Sequence, residues 1–327
     1  MNPFIHLLLA GFFSVIPMLF YLVIIWLMDR YEREPFWMVL LNFAWGATGA
    51  IIFGIIGSLI MGVGVSEFIH QFATDSEAGA FNRLAGAVVV APLVEEITKG
   101  MFLLLISFSR QFDGPVDGAV YGGAIGLGFG MTENFLYFMS YGSSLGSLLM
   151  LIIIRTLFSA VLHCCTQATL GAAIGYAKFK GIGYKVLLIP LGLGIAMFMH
   201  FTWNLTVSFG STAIIGFLFM IVTVIIIFAV FQFAVHSEGK MILRELTDEA
   251  NSGFIPKEHL IHLPYTSKRN KKGWLQSNIN QKEYVKLTVK LALRKNQFKS
   301  NKSNAYSQEI DLLRSRIYKI LYPQTAK

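Results

Sequence analysis

The feature that most constrains this chain is a series of apolar stretches, each long enough to cross a lipid bilayer as a helix of about 20 residues. The predicted spans are 5–28, 36–64, 84–108, 116–141, 147–177, 183–208 and 211–236. Unpaired backbone groups are costly in hydrocarbon, and the alternating pattern of a membrane β-barrel does not occur, so every span is predicted to be helical. The predicted fold class is therefore all-α, a polytopic membrane helix bundle of about seven transmembrane helices.

Composition supports the same setting. Hydrophobic residues make up 54% of the 327 residues and the mean hydropathy is +0.58, so one water-soluble core would leave large apolar patches exposed. The first span has no preceding cluster of positive charges and no following small-residue cleavage site, which predicts a retained helix rather than a signal peptide. Cys164 and Cys165 are adjacent within the fifth span, so the sequence provides no disulfide framework.

The loops between the predicted spans divide into a basic set and a set with little positive charge. The loops after the first, third and fifth spans contain the basic residues Arg30, Arg33, Arg110, Lys178 and Lys180. Because basic loops tend to stay in the cytoplasm, this distribution places the N-terminus outside the cell and the C-terminal tail in the cytoplasm. The predicted location is a plasma membrane that the chain crosses several times.

The chain is predicted to divide into a transmembrane bundle, residues 1–236, and a basic, partly helical cytoplasmic tail, residues 237–327. The bundle carries 9 basic and 11 acidic residues and the tail carries 18 and 8, for net charges of −2 and +10. The stretch 266–274 (TSKRNKKGW) is typical both of contact with anionic lipid and of a plain solvated segment. Apolar spacing in 307–322 predicts an amphipathic helix. No nucleic-acid-binding fold is recognisable, so nucleic acid is not a predicted partner.

Three charged residues lie in the third predicted span, within the sequence VEEITK: Glu95, Glu96 and Lys99. A charged side chain at the bilayer centre costs about 2.5–3.5 kcal/mol on insertion scales. Glu95 and Lys99 are four residues apart on one helix face, so they are predicted to neutralise each other in part. A structural ion pair would explain these two residues and leave Glu96 without a partner, which favours a functional site.

Three further spans contribute polar side chains. Glu133 lies in the fourth span, His163 and Gln167 lie four residues apart in the fifth, and His200 and Asn204 have the same spacing in the sixth. Counted from the predicted outer ends of the spans, these residues and the glutamates of the third span reach similar depths, which predicts one shared polar layer. A single histidine in a membrane helix is typical of an interhelical hydrogen bond, whereas four helices that supply such groups favour a site.

Glycines recur at intervals of four along the fourth span, at Gly118, Gly122, Gly126 and Gly130. Small residues at this spacing allow the backbone of a neighbouring helix to approach closely. The pattern predicts tight packing of the fourth span against the third or the fifth, which would hold Glu133 close to that neighbour.

Several separated motifs resemble those of the PrsW family of intramembrane proteases, which is distantly similar to the CAAX prenyl endopeptidases. These motifs are DRYEREP (29–35), VEEITK (94–99), DGAVYGGAIGLGFGMTEN (117–134) and HFTWN (200–204). The resemblance covers most of residues 20–235 and implies a peptidase that acts on a membrane protein, such as an anti-sigma factor. It implies catalytic roles for six residues: Glu95, Glu96, Glu133, His163, His200 and Asn204.

Peptide-bond hydrolysis requires a base that activates water and a donor that stabilises the oxyanion, and a buried polar layer provides both. In a mechanism that uses side chains alone, one of the two adjacent glutamates acts as general base. His200 and Asn204 then stabilise the tetrahedral intermediate, and Glu133 and His163 orient the water.

A metal-dependent mechanism is equally compatible with the sequence. His163, His200 and Glu133 would form an open three-ligand site, with zinc as the candidate ion and another glutamate as base. The local HExxH pair of many zinc proteases is absent from the sequence, so any ligands would come from separate helices. The sequence leaves both mechanisms open.

Two other function classes are also compatible with these residues. Buried Glu, His and Lys side chains occur in ion- or proton-coupled transporters, although no repeat between the two halves of this chain is recognisable. A non-catalytic membrane scaffold with a basic tail would leave the polar layer without a role. Peptide hydrolysis is therefore the favoured interpretation.

Overall fold

The computed structural model describes residues 1–301 and 304–323, without the side chains of residues 75, 76 and 301. Every regular element in this range is helical, and no strand occurs there. Residues 302–303 and 324–327 of the predicted tail lie outside the described residues. The α-helices are α1 (Pro3–Met28), α2 (Phe36–Trp45), α3 (Ile51–His70), α4 (Asp75–Ala85), α5 (Ala91–Ile106), α6 (Pro115–Tyr141), α7 (Leu145–Ile154), α8 (Ala160–Lys178), α9 (Ile182–Val207), α10 (Ala213–Asn251), α11 (Thr266–Arg269), α12 (Gln281–Asn301) and α13 (Asn304–Leu321).

Three long helices in the described part of the chain contain a short π-helical segment, in which N–H groups bond five residues back. Segment π1 (Gly46–Ala50) joins α2 to α3, π2 (Gly86–Val90) joins α4 to α5, and π3 (Arg155–Ser159) joins α7 to α8. Such segments recur at functional sites. Here π2 directly precedes the helix that carries Glu95, and π3 begins with Arg155.

Among the described residues, five helices are long and apolar enough to cross a membrane: Pro3–Met28, Phe36–His70, Leu145–Lys178, Ile182–Val207 and Ala213–Asn251. The other two predicted spans correspond to α5, with the segment before it, and to α6. These helices contain the buried glutamates and the glycine repeat and are therefore less apolar. The predicted all-α polytopic bundle is confirmed, whereas the count of seven crossings stays a prediction.

Two helices extend furthest beyond the predicted spans. The third span was predicted to begin at residue 84, but its helix begins at Asp75, where Thr74 and Glu77 form a capping box. The last span was predicted to end at residue 236, but α10 continues to Asn251. Both extensions are polar, so an apolar-stretch criterion does not detect them.

The described chain forms two compact units. The first contains residues 1–28 and 34–230, and the second contains residues 29–33 and 231–327. The predicted division into a bundle, residues 1–236, and a tail, residues 237–327, stays a prediction.

The second unit has an apolar core of its own. The predicted amphipathic helix lies within α13, where Ile310, Leu313 and Ile317 are buried in this core. Arg314 on the same helix lies 2.6 Å from Glu249. Within the basic stretch 266–274, Arg269 is buried and donates to the backbone carbonyls of Arg30 and Tyr31. At least this part of the basic sequence therefore packs within the unit.

The glycine repeat of α6 faces the backbone of α8. A Cβ atom added to Gly118, Gly122 or Gly126 would collide with the carbonyl groups of Gly171, Gln167 and His163, respectively. Those three carbonyls lie four residues apart along α8, so the three glycines pack against three successive turns of that helix. The predicted tight packing thus occurs against the fifth predicted span, and it places Glu133 beside His163.

We expect Gly126→Val to separate α6 from α8, because its side chain would collide with the His163 carbonyl. Overpacking of this kind costs about 1–3 kcal/mol or more. The variant should melt at a lower temperature in detergent. Gly194→Ala is the matched control, since nothing lies within 4 Å of the added Cβ there. Wild-type melting of the Gly126→Val protein would contradict the packing argument.

Candidate active site

Glu96 accepts hydrogen bonds from three side chains. It is fully buried, and its Oε1 atom accepts from Lys99 Nζ at 2.6 Å and from His200 Nδ1 at 2.8 Å. Its Oε2 atom accepts from Gln167 Nε2 at 2.7 Å. Because an ionised carboxylate only accepts, the proton of a neutral His200 lies on Nδ1 and its Nε2 lone pair is available.

Lys99 connects the two sides of this polar layer. Its ammonium group lies 2.6 Å from Glu96, 3.1 Å from His163 Nδ1 and 3.8 Å from Glu95 Oε2. It also lies 4.2 Å from the ring centre of Phe129. The sequence spacing predicts a pairing with Glu95, but the shorter ion pair is with Glu96, one residue further along. The helix therefore leaves Glu95, rather than Glu96, with the weaker pairing.

Glu133 lies on α6 and is held by two basic groups. Its Oε2 atom lies 2.7 Å from His163 Nε2 and 2.6 Å from a guanidinium nitrogen of Arg155. Arg155 is fixed in turn, since its Nε donates to the Asn134 side chain at 3.0 Å and its guanidinium lies 3.6 Å from the Tyr137 ring centre. The first residue of π3 thereby orients Glu133.

Glu95 differs from the other two glutamates. Its Oε2 atom is buried and has no hydrogen-bond partner among the described residues. It lies 3.9 Å from His200 Nε2, which is too far for a hydrogen bond. Glu95, His163 and His200 each offer a ligand atom, and these atoms lie within 4.8 Å of one another, so the three side chains could hold a metal ion.

Asn204 lies one turn beyond His200 and is partly exposed. Its amide nitrogen donates to the backbone carbonyl of Ala87, in π2, at 2.8 Å. The contact connects α9 to the helix that carries the adjacent glutamates.

The structure brings five of the six predicted site residues into one connected polar cluster: Glu95, Glu96, Glu133, His163 and His200. It places Asn204 at the neighbouring backbone contact. Lys99, Arg155 and Gln167 were recognisable as polar residues within apolar spans, but apart from Glu95, which was predicted to pair with Lys99, their partners were not. Sequence spacing within one helix gives no direct information about partners on other helices.

Comparison with known proteins identifies the family of the chain. The model of the PrsW family of intramembrane metalloproteases matches residues 34–231, which is more than half of the chain. The chain belongs to the PrsW family. This confirms the predicted membership and identifies the protein as a peptidase, an intramembrane protease. The match includes all six predicted site residues.

Two relatives named Protease PrsW illustrate the extent of the likeness. The protein of Shouchella clausii (strain KSM-K16) is 27% identical over 185 residues, which is 56% of this chain and 76% of that protein. The protein of Geobacillus kaustophilus (strain HTA426) is 30% identical over 155 residues, which is 47% of this chain and 60% of that protein. No solved structure matches the chain.

We expect Lys99→Met to destabilise this PrsW-family protein strongly, because it leaves a buried carboxylate without its cation. Breaking a buried ion pair from one side costs about 3–5 kcal/mol. Glu96→Gln in the same chain should recover part of this loss, so that the double variant is more stable than the sum of the two single effects. Thermal unfolding in detergent measures the coupling. Additive single effects would mean that the two side chains do not interact.

Proposed function

We propose that the chain hydrolyses a peptide bond in or near the transmembrane segment of a membrane-protein substrate, with a zinc ion held by Glu95, His163 and His200. The observation that carries this proposal is the buried Oε2 atom of Glu95, which has no hydrogen-bond partner among the described residues. The polar cluster contains three carboxylates, those of Glu95, Glu96 and Glu133. Among the described residues, two permanently basic side chains pair with them, Lys99 and Arg155. A divalent cation would compensate the excess negative charge.

The donor set fits zinc. Two imidazole nitrogens and one carboxylate oxygen are a usual set for a catalytic zinc site, in which the fourth position is left for water. Glu95 is a better third ligand than Glu133, which the sequence also allowed, because Glu133 already lies against Arg155 at 2.6 Å. When bound, zinc would acidify a water molecule and polarise the scissile carbonyl.

Glu96 fits an orienting role better than that of general base. Both of its oxygens already accept hydrogen bonds, from Lys99, Gln167 and His200, so neither oxygen is free to take a proton from water. Its contact with Nδ1 of His200 turns the Nε2 atom toward Glu95. Carboxylates that bind the second nitrogen of a metal-ligating histidine fix its tautomer and ring orientation in this manner.

Glu133 is the proposed general base. His163 has contacts on both ring nitrogens, with Glu133 and with Lys99, so one of these contacts has to be released when a metal binds. If the contact between His163 and Glu133 is released, Glu133 stays paired with Arg155 and has an oxygen available to accept a proton. Glu133 would take the proton of the attacking water and deliver it to the leaving amine as the C–N bond breaks.

The proposed substrate is a single-span membrane protein, and the family resemblance favours an anti-sigma factor. A peptide bond within a regular helix is shielded by its own hydrogen bonds, so cleavage should occur where helix-weakening residues expose the carbonyl. The proposed orientation, from the basic loops, places the N-terminus outside and the C-terminus in the cytoplasm of a plasma membrane.

The test combines metal analysis with cleavage. We expect protein purified in detergent to contain one zinc ion per chain by mass spectrometry. It should cleave a reconstituted single-span substrate, lose this activity on chelation and regain it with zinc. Full cleavage by protein shown to be free of metal would overturn the zinc assignment.

Variants separate the proposed roles. Glu95→Gln and His200→Ala should lose both zinc and cleavage, whereas Glu96→Gln should lower zinc affinity about 10–100-fold, as removal of an orienting partner does. Glu133→Gln should retain zinc and lose cleavage. Glu67→Gln changes an exposed glutamate of α3 and should match the wild type in both measurements. Retention of zinc by Glu95→Gln would contradict its role as ligand.

A further inference from the structure

The backbone carbonyl of Ala87 has lost the helical donors that would ordinarily bind it. In π2 the N–H group of Ala91 donates to the carbonyl of Gly86, five residues earlier in the chain. In the same pattern the donor for Ala87 would be the N–H group of residue 92. That residue is Pro92, which has no N–H group. The donor observed is the side-chain amide of Asn204, at 2.8 Å.

The position of this hydrogen bond relates it to the site. Asn204 lies one turn after His200, and Pro92 lies one turn before Glu95 and Glu96. The bond therefore joins the two helices one turn away from the place where His200 meets the two glutamates. There, Nδ1 of His200 lies 2.8 Å from Glu96 and Nε2 lies 3.9 Å from Glu95.

A second π segment also accepts a hydrogen bond from a side chain of another helix. The hydroxyl of Thr132 donates to the carbonyl of Ala47, in π1, at 2.8 Å. Thr132 directly precedes Glu133 on α6. In both cases a side chain beside a site residue donates to the second carbonyl of a π segment. In a bilayer a freed carbonyl such as that of Ala87 needs a protein donor, since water is scarce.

We propose that Asn204 is a positioning residue, whose amide replaces the N–H group missing at Pro92 and thereby fixes His200 against Glu95 and Glu96. Asn204 then acts through His200 rather than by contact with the tetrahedral intermediate, the role predicted from the sequence. The engaged amide supports this, because its hydrogen bond to Ala87 directs the Asn204 side chain toward π2. The proposal rests on the proposed function in that His200 and Glu95 are metal ligands.

A double-variant experiment tests the proposal with zinc affinity and thermal unfolding as readouts. Asn204→Leu should weaken zinc binding at least about tenfold, the lower range for loss of an orienting contact, and should lower the melting temperature of the metal-free protein. In Pro92→Ala the new N–H group can serve the Ala87 carbonyl. We therefore expect the double variant to regain most of the zinc affinity and melting temperature. Gln71→Leu, a change at an exposed amide, is the control.

The outcomes are distinct. A double variant as impaired as Asn204→Leu alone would overturn the proposal, as would loss of cleavage by Asn204→Leu at unchanged zinc affinity, since that result indicates contact with the reacting atoms. If Pro92→Ala alone weakens zinc binding, Asn204→Asp decides. Its ionised side chain keeps the shape but has no N–H donor, so it should bind zinc as weakly as Asn204→Leu, and wild-type affinity would refute the proposal. If no zinc binds at all, the proposed function fails, while coupled melting of metal-free Asn204 and Pro92 variants still tests the positioning.

Discussion

The structure of the bundle depends on the burial of carboxylates in a chain that is otherwise suited to lipid. Glu96 is fully buried, and Glu133 is largely enclosed between α6 and the segment that begins at Arg155. Such groups remain charged only if cations and hydrogen-bond donors surround them, and those donors come from three different helices, α5, α8 and α9. The polar cluster therefore determines which helices must be neighbours and at what rotation. A rotation of α5 by one residue would move one of the two adjacent glutamates into the place of the other and carry the second away from its donors.

Close helix packing makes these contacts geometrically accessible. A histidine on one helix reaches a glutamate on another at 2.7 Å only if the two backbones lie near each other, and glycines on α6 remove the side chains that would prevent this. At Gly126 the missing Cβ faces the carbonyl of His163 itself. The same residue that supplies an imidazole to the cluster thus supplies the backbone surface against which α6 rests.

Sequence reasoning succeeded where a property belongs to one helix and was incomplete where it depends on several. Apolar length predicted the long helices, and charged residues within the predicted spans indicated the polar cluster that the structure shows. The motif VEEITK could not show which glutamate is the less paired one, because Glu96 is selected by His200 and Gln167 on other helices. The spacing of four between Glu95 and Lys99 was sound as helix geometry, yet an interaction at a spacing of three proved shorter. The π segments were also not predicted, since a one-residue widening of a helix leaves no periodic signal in an apolar sequence.

Departures from regular helix geometry help to fix the helices that carry the polar cluster. The backbone of a regular helix forms its hydrogen bonds internally and leaves no backbone group for a neighbouring helix to bind. Helices in lipid therefore have few directional contacts through their backbones. A π segment followed by proline leaves a carbonyl that only a side chain can satisfy, as Asn204 does for Ala87. That hydrogen bond is directional and joins two groups of the protein, whereas apolar packing alone would allow α9 to slide or rotate. Since the proposed ligands lie on separate helices and would have to be held to fractions of an ångström, interruptions of the helical backbone meet a physical requirement of such a site rather than being defects.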